Sequence, residues 1–132
     1  MEQEFIDIII NYSKNADKIF FYASNEDGTR YVNFAFQINS KNLKKNEADR
    51  QQGLTTDDSI KKQKLYLDKL QKLFENYVQK FREEKKKELS ELKLIFDTST
   101  KKLIKEISID RNYSGASTFT TTIFDRWFKA QK

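Results

Sequence analysis

The chain has 132 residues and a formal net charge of +5, with eleven Phe, six Tyr and one Trp among its hydrophobic residues. This length fits a single domain, residues 1–132, and so many aromatic side chains supply the buried area that argues against disorder. Because the chain has no Cys and no His, it cannot form disulfides, thiol nucleophiles or zinc sites of the usual kind.

The N-terminal residues 2–14 are predicted to form a helix. Phe5, Ile9 and Tyr12 recur at helical spacing and share one face.

A β-hairpin is predicted next, from alternating segments at 19–24 and 31–39. If residues 25–28 form the loop, Phe21 pairs with Val32 and both point toward the core.

The polar residues 40–56 are predicted to be a mobile loop. A long amphipathic helix follows and runs to about Lys87. Thr55 and Asp58 fit a capping box at its start, and its apolar stripe ends near Phe81.

A second hairpin is predicted from 92–97 and 103–110, where Lys105 interrupts an otherwise apolar face. After a Ser/Thr-rich connection, Thr122 and Asp125 fit another capping box before a short aromatic helix. The element order α-β-β-α-β-β-α predicts an α+β fold. We expect a four-stranded antiparallel sheet with a long central helix packed on one face.

Catalytic chemistry is not indicated by any spacing in the chain. Asp57 and Asp58 are explained by capping, and Glu83 and Glu84 lie on a charged helix face. The isolated glycines form no phosphate loop. We therefore predict a protein that is not an enzyme, with no catalytic residues, cofactor or metal site.

A binding surface is predicted on the sheet face opposite the helices. There the hairpins place Phe20, Tyr22 and Tyr31 side by side, with Asn33 and Lys93 near them. Exposed aromatic clusters mark interaction sites. Two alternatives stay open: the N-terminal helix covers these rings, or the rings stack on single-stranded RNA bases.

The expected location is the cytoplasm, without a membrane contact. No apolar run approaches the roughly 18 residues of a membrane span, and the basic start of a secretory signal is missing. The lysine-rich middle, residues 41–93, suggests a nucleic-acid-binding module as the alternative function. Lys and Glu alternate there as on a solvated helix face, which makes nucleic acid the less favoured partner. Both a monomer and a dimer remain open.

The chain resembles the YezG-type antitoxin and immunity family, small proteins that neutralise bacterial polymorphic toxins in interbacterial competition. The segments that carry the resemblance are Lys18–Ser24, Tyr31–Phe36, Leu67–Glu83, Leu92–Asp97 and Ile123–Phe128.

This resemblance implies an immunity protein that binds a cognate toxin domain and blocks it by direct occlusion. Inhibitors of nuclease toxins tend to be acidic, whereas this chain is basic overall. Either the toxin is neutral or acidic, or the acidic N-terminal portion, including Glu26 and Asp27, makes the contact.

Overall fold

A computed structural model describes residues 2–13, 15–26, 29–109 and 120–131, and it confirms the α+β class. The elements in chain order are α1 (Glu2–Ile10), β1 (Lys18–Glu26), β2 (Thr29–Ile38), β3 (Lys41–Lys44), α2 (Lys45–Gln51), α3 (Thr56–Lys85), β4 (Glu91–Asp97), β5 (Lys102–Ser108) and α4 (Thr120–Lys129). In the described ranges the strands form one antiparallel sheet in the order β3-β2-β1-β4-β5. The predicted sheet of four strands is therefore wrong by one strand.

The extra strand comes from residues 40–56, which form β3 and α2 where a mobile loop was predicted. Leu43 and Ala48 are the buried apolar residues of this segment. At the start of α2 the Lys44 amide donates a hydrogen bond to Glu47 Oε1 at 3.0 Å. With so few apolar side chains, the segment shows no periodicity from which either element can be recognised.

The first hairpin has the predicted faces but a different register. Phe21 pairs with Phe34, and Glu26 pairs with Thr29, so the predicted pairing of Phe21 with Val32 is wrong. Strands joined by two residues are the commonest hairpins, because the twist of such a loop matches the twist of the strands. A displacement of two residues leaves every side chain on the same face of the sheet.

Helices α1 and α3 pack on one face of the sheet and form the larger core with it. The rings of Phe5 and Phe21 stack with centroids 4.7 Å apart. The Thr55 hydroxyl oxygen accepts a hydrogen bond from the Asp58 amide at 3.1 Å, which confirms the predicted cap. Helix α3 ends at Lys85, where Lys86 adopts a left-handed φ of 59°.

A buried carboxylate joins α2 to α3 and to the turn after α1. Asp49 of α2 is only 1% exposed. Its Oδ2 accepts hydrogen bonds from Tyr12 Oη and Ser59 Oγ, both at 2.5 Å. Lys62 Nζ lies 3.9 Å from Asp49 Oδ1 and 4.2 Å from the centre of the Tyr12 ring. Burial, together with the bond to Asp49, raises the pKa of Tyr12.

Helix α4 packs on the opposite face of the sheet, against β1 and β2. The prediction that helices occupy one face is therefore wrong. The stacked rings of Phe124 and Phe128 have centroids 5.9 Å apart, and Phe128 lies 5.3 Å from Phe20. Strand β1 is apolar on both of its faces, and a strand of that kind needs a cover on each side.

The second hairpin pairs Asp97 with Lys102, and β5 ends at Ser108. Lys105, the exception in its apolar face, reaches Glu2 of α1 with Nζ and Oε2 3.4 Å apart. Asp27, Gly28, residues 110–119 and the Thr122 side chain lie outside the described residues, together with the predictions made for them. None of the helices in the described ranges is both long and apolar enough to cross a membrane.

Candidate interaction site

The predicted contact residues Phe20 and Tyr22 do not reach the surface. Both side chains are buried beneath α4, so the prediction that they are exposed is wrong. The alternative that the N-terminal helix covers them is also wrong, because α1 packs on the other face. Tyr22 instead has a structural contact: its hydroxyl donates to Glu91 Oε2 at 2.6 Å.

Of the remaining predicted residues, Tyr31 and Asn33 come together in a cleft at the edge of α4. Lys93 is half-buried on β4 opposite Tyr22, outside this cleft, and Glu26 ends β1. The predicted set therefore divides, and its β2 members Tyr31 and Asn33 line this cleft.

The cleft has a volume of about 230 Å3 and lies between the sheet edge, α2, α3 and α4. Its lining combines polar and charged side chains with the apolar rings of Phe34 and Phe124. The lining residues are Tyr31, Asn33, Phe34, Lys44, Lys45, Asn46, Gln63, Phe124 and Asp125. We call it the Lys45 cleft.

Lys45 is the central charge of this cleft. As the first residue of α2 it points back across β2, where its Nζ donates a short hydrogen bond to Asn33 Oδ1. The same Nζ lies 5.0 Å from the centre of the Phe34 ring, within reach of a cation–π interaction. Asn33 Nδ2 in turn donates to the Tyr31 hydroxyl at 2.8 Å, so β2 orients the amide that holds the lysine.

Burial lowers the pKa of Lys45 to about 8, with the neighbouring charge of Lys44 acting in the same direction. The carboxylates of Asp49 and Asp125 oppose this shift without cancelling it. At the rim, Lys44 Nζ lies 3.4 Å from Asp125 Oδ1. A partly desolvated ammonium group whose near partner is a neutral amide oxygen is one that an incoming carboxylate would stabilise.

Sequence reasoning identified Tyr31 and Asn33 but missed Lys45, Gln63 and Asp125. In the sequence, Lys44 and Lys45 are typical of a solvated lysine run. No feature of the sequence shows that the Lys45 side chain points toward β2. The sequence did offer one sign of a site, because Tyr31 and Asn33 are an aromatic and an amide side chain on the face of β2 that points away from the larger core.

A second cleft, of about 270 Å3, lies between α1, α3 and β5. Three of its polar groups bind each other: the Tyr77 hydroxyl donates to Glu2 Oε2 at 2.7 Å, and Lys105 pairs with the same oxygen. This internal pairing makes it a less suitable receptor for a charged ligand than the Lys45 cleft.

The lysine-rich middle that suggested nucleic acid maps largely to the solvent face of α3. Lys61, Lys64 and Lys72 are exposed there, but Asp68 and Glu75 are exposed on the same helix. Alternating charges of this kind weaken the attraction to a phosphate backbone.

We expect Lys45→Met to stabilise the fold at neutral pH. Below pH 8 both states carry the proton, so the folded state bears the cost of burying the charge. That cost is relieved as pH rises from about 8 toward about 10.4, the ordinary lysine value. Urea denaturation at pH 7 should show a gain of roughly 1–3 kcal/mol in the free energy of unfolding, and this gain should shrink above pH 8. A loss of stability at pH 7 would contradict the burial argument.

In the described ranges, no three Asp or Glu side chains are grouped so that they could hold a metal ion. Comparison of the sequence with protein-family models finds no family that matches, and comparison with curated proteins finds no similar sequence.

Proposed function

We propose that this protein is an immunity protein that binds a cognate bacterial toxin domain and neutralises it by direct occlusion. The Lys45 cleft is the centre of the contact. An acidic side chain of the toxin enters the cleft and pairs with Lys45, while Asn46 and Gln63 offer amide groups around it.

The observation that supports this proposal is the half-buried cation of Lys45, which contacts Asn33 and the Phe34 ring in an open cleft. A lysine in this position costs folding stability, since burial disfavours its charge. Residues that weaken the fold while facing an open cavity are typical of binding sites, where stability is exchanged for function. A partner carboxylate supplies the pairing that the cleft itself provides only in part.

A contact of this kind agrees with the basic net charge of the chain, which differs from the acidic charge typical of inhibitors of nuclease toxins. A basic inhibitor suits a toxin surface that carries carboxylates. The acidic N-terminal residues are then not needed as the main contact. Charge of this kind steers the encounter as well as fixing the orientation of the complex.

The experiment is co-expression with candidate toxin domains from the neighbouring genes, followed by titration of the purified proteins. Wild-type protein should rescue growth and form a complex. Lys45→Met should lose about 2–5 kcal/mol of binding free energy, which is a roughly thirty-fold or greater rise in Kd. Lys64→Met, at an exposed position on α3, is the matched control and should bind like wild type.

The outcomes separate the function from its site. If wild-type protein neither binds nor rescues, the immunity function is wrong. If Lys45→Met folds with the expected gain in stability and still binds like wild type, the cleft is not the contact. The alternative, nucleic acid binding, is tested by titrating RNA and DNA at several salt concentrations, because phosphate contacts weaken steeply with salt.

A further inference from the structure

Strand β5 is an edge of the sheet. In the part of the chain that the structure describes, it pairs with β4 on one side and with nothing on the other. A strand edge carries a row of backbone donors and acceptors that can pair with another strand. Ile104, in the middle of β5, is 55% exposed and lies on the face that α4 partly covers.

The hydrogen-bond alternation shows which groups of β5 point outward. Asn25 N donates to Ser90 O, and Thr98 N donates to Asp17 O, so even-numbered residues of β4 bond to β1. Odd-numbered residues of β4 then bond to β5, and their partners are the even-numbered residues of that strand. The backbone groups of Leu103, Lys105 and Ile107 therefore face away from the sheet.

The side chains around Ile104 are complementary to a second copy of themselves. In an antiparallel pair of β5 strands centred on Ile104, Ile104 faces Ile104 of the partner subunit at the close, non-hydrogen-bonded spacing of about 4.5 Å. On the same face Lys102 lies opposite the partner's Glu106, and by symmetry Glu106 lies opposite the partner's Lys102. Leu103 and Lys105 supply the backbone hydrogen bonds.

Two neighbouring registers that also keep the outward groups paired are less favourable. Centring the pair on Lys105 places two lysines directly opposite each other, and centring it on Glu106 does the same with two glutamates. Like charges in these positions destabilise an antiparallel pair. Lys102 and Lys105 protect the edge against unrelated strands, while the order Lys102, Ile104, Glu106 favours the symmetric pairing centred on Ile104, which joins the exposed isoleucines and two pairs of opposite charge.

We propose that the protein forms a homodimer through antiparallel pairing of β5, so that one sheet runs continuously through both protomers. Exposed Ile104 is buried against its symmetry mate, and two Lys102–Glu106 ion pairs flank it. The edge pairing buries a small area, and interfaces below about 1,200 Å2 are weak. The dimer should therefore depend on concentration.

The experiment is sedimentation of the full chain over about 1 μM to about 1 mM, the range in which weak association is measured. Wild-type protein should pass from monomer to dimer. Ile104→Glu places two carboxylates against each other and should leave a monomer throughout. Ile60→Glu is the matched control, because Ile60 is an equally exposed isoleucine on α3, at 59%. That variant should associate like wild type.

A charge exchange tests the register itself. Lys102→Glu and Glu106→Lys should each raise the dimer dissociation constant by about tenfold, since each creates two like-charge pairs. The double variant restores opposite charges and should recover most of the association. A wild-type chain that stays monomeric over the whole range would overturn the proposal. So would a dimer unaffected by Ile104→Glu, or a double variant no better than the single ones.

Discussion

Replacing Asp49 with alanine is expected to lower the free energy of unfolding by about 3 kcal/mol or more. The side chain is 1% exposed and accepts hydrogen bonds from Tyr12 and Ser59. Its removal leaves two buried hydroxyls without their acceptor, and each orphaned group costs about 1–3 kcal/mol. Lys62 also loses its nearest carboxylate, although its side chain is partly exposed and water limits that loss.

The loss should be seen as a lower urea midpoint with an unchanged denaturant slope. Asp49→Asn keeps one oxygen acceptor and should cost less than the alanine variant. Asp68→Ala, at an exposed position on α3, is the matched control and should change stability by less than about 0.5 kcal/mol. An Asp49→Ala protein as stable as this control would show that the three segments do not depend on the carboxylate.

Phe128→Ala is the second change with a large expected effect, because Phe128 anchors α4 to the sheet. Its ring is 4% exposed, stacks on Phe124 and meets the edge of Phe20. Truncation of a buried phenylalanine costs about 3–5 kcal/mol when the fold stays intact. Helix α4 packs mainly on β1 and β2. We therefore expect this helix to loosen before the rest of the protein unfolds.

The single tryptophan of the chain reports on this event directly. Trp127 lies on α4, with its ring centroid 6.2 Å from Phe20 and 6.1 Å from Tyr22. In Phe128→Ala its emission should shift to the red at urea concentrations where circular dichroism is still native. Phe74→Leu weakens the core on the other face, so its two signals should remain coincident. Coincident signals in Phe128→Ala would show that α4 unfolds with the whole domain.

The sequence was sufficient for the elements that carry strong periodicity. Alternation placed the faces of β1 and β2 correctly, and the apolar stripe with its Thr55 cap located α3. Alternation repeats every two residues, so it could not separate the true register from one displaced by two. The elements β3 and α2 were missed because Leu43 and Ala48 are too few to produce a period.

The candidate site was harder to predict because its exposure depends on which helix covers which face. Phe20 and Tyr22 were predicted to form an exposed contact surface. Instead, α4 covers both side chains, and they form a second, smaller core with it. The continuous apolar run of β1 was the available signal, since a half-exposed strand would alternate with polar residues. The position of the Lys45 side chain is set by helix α2. Because residues 40–56 were predicted to be a loop, the position of this ammonium group could not be predicted.

The central position of β1 has a consequence for how the chain is made. β1 is synthesised early, but its partner β4 follows much later, and the contact between Tyr22 and Glu91 spans 69 residues. Until β4 leaves the ribosome, a strongly apolar strand has one edge without a partner. Pairings this distant in sequence form slowly, and an open apolar edge invites aggregation during that delay. The yield of folded protein should therefore depend on translation speed and chaperone supply more than on the stability of the finished fold.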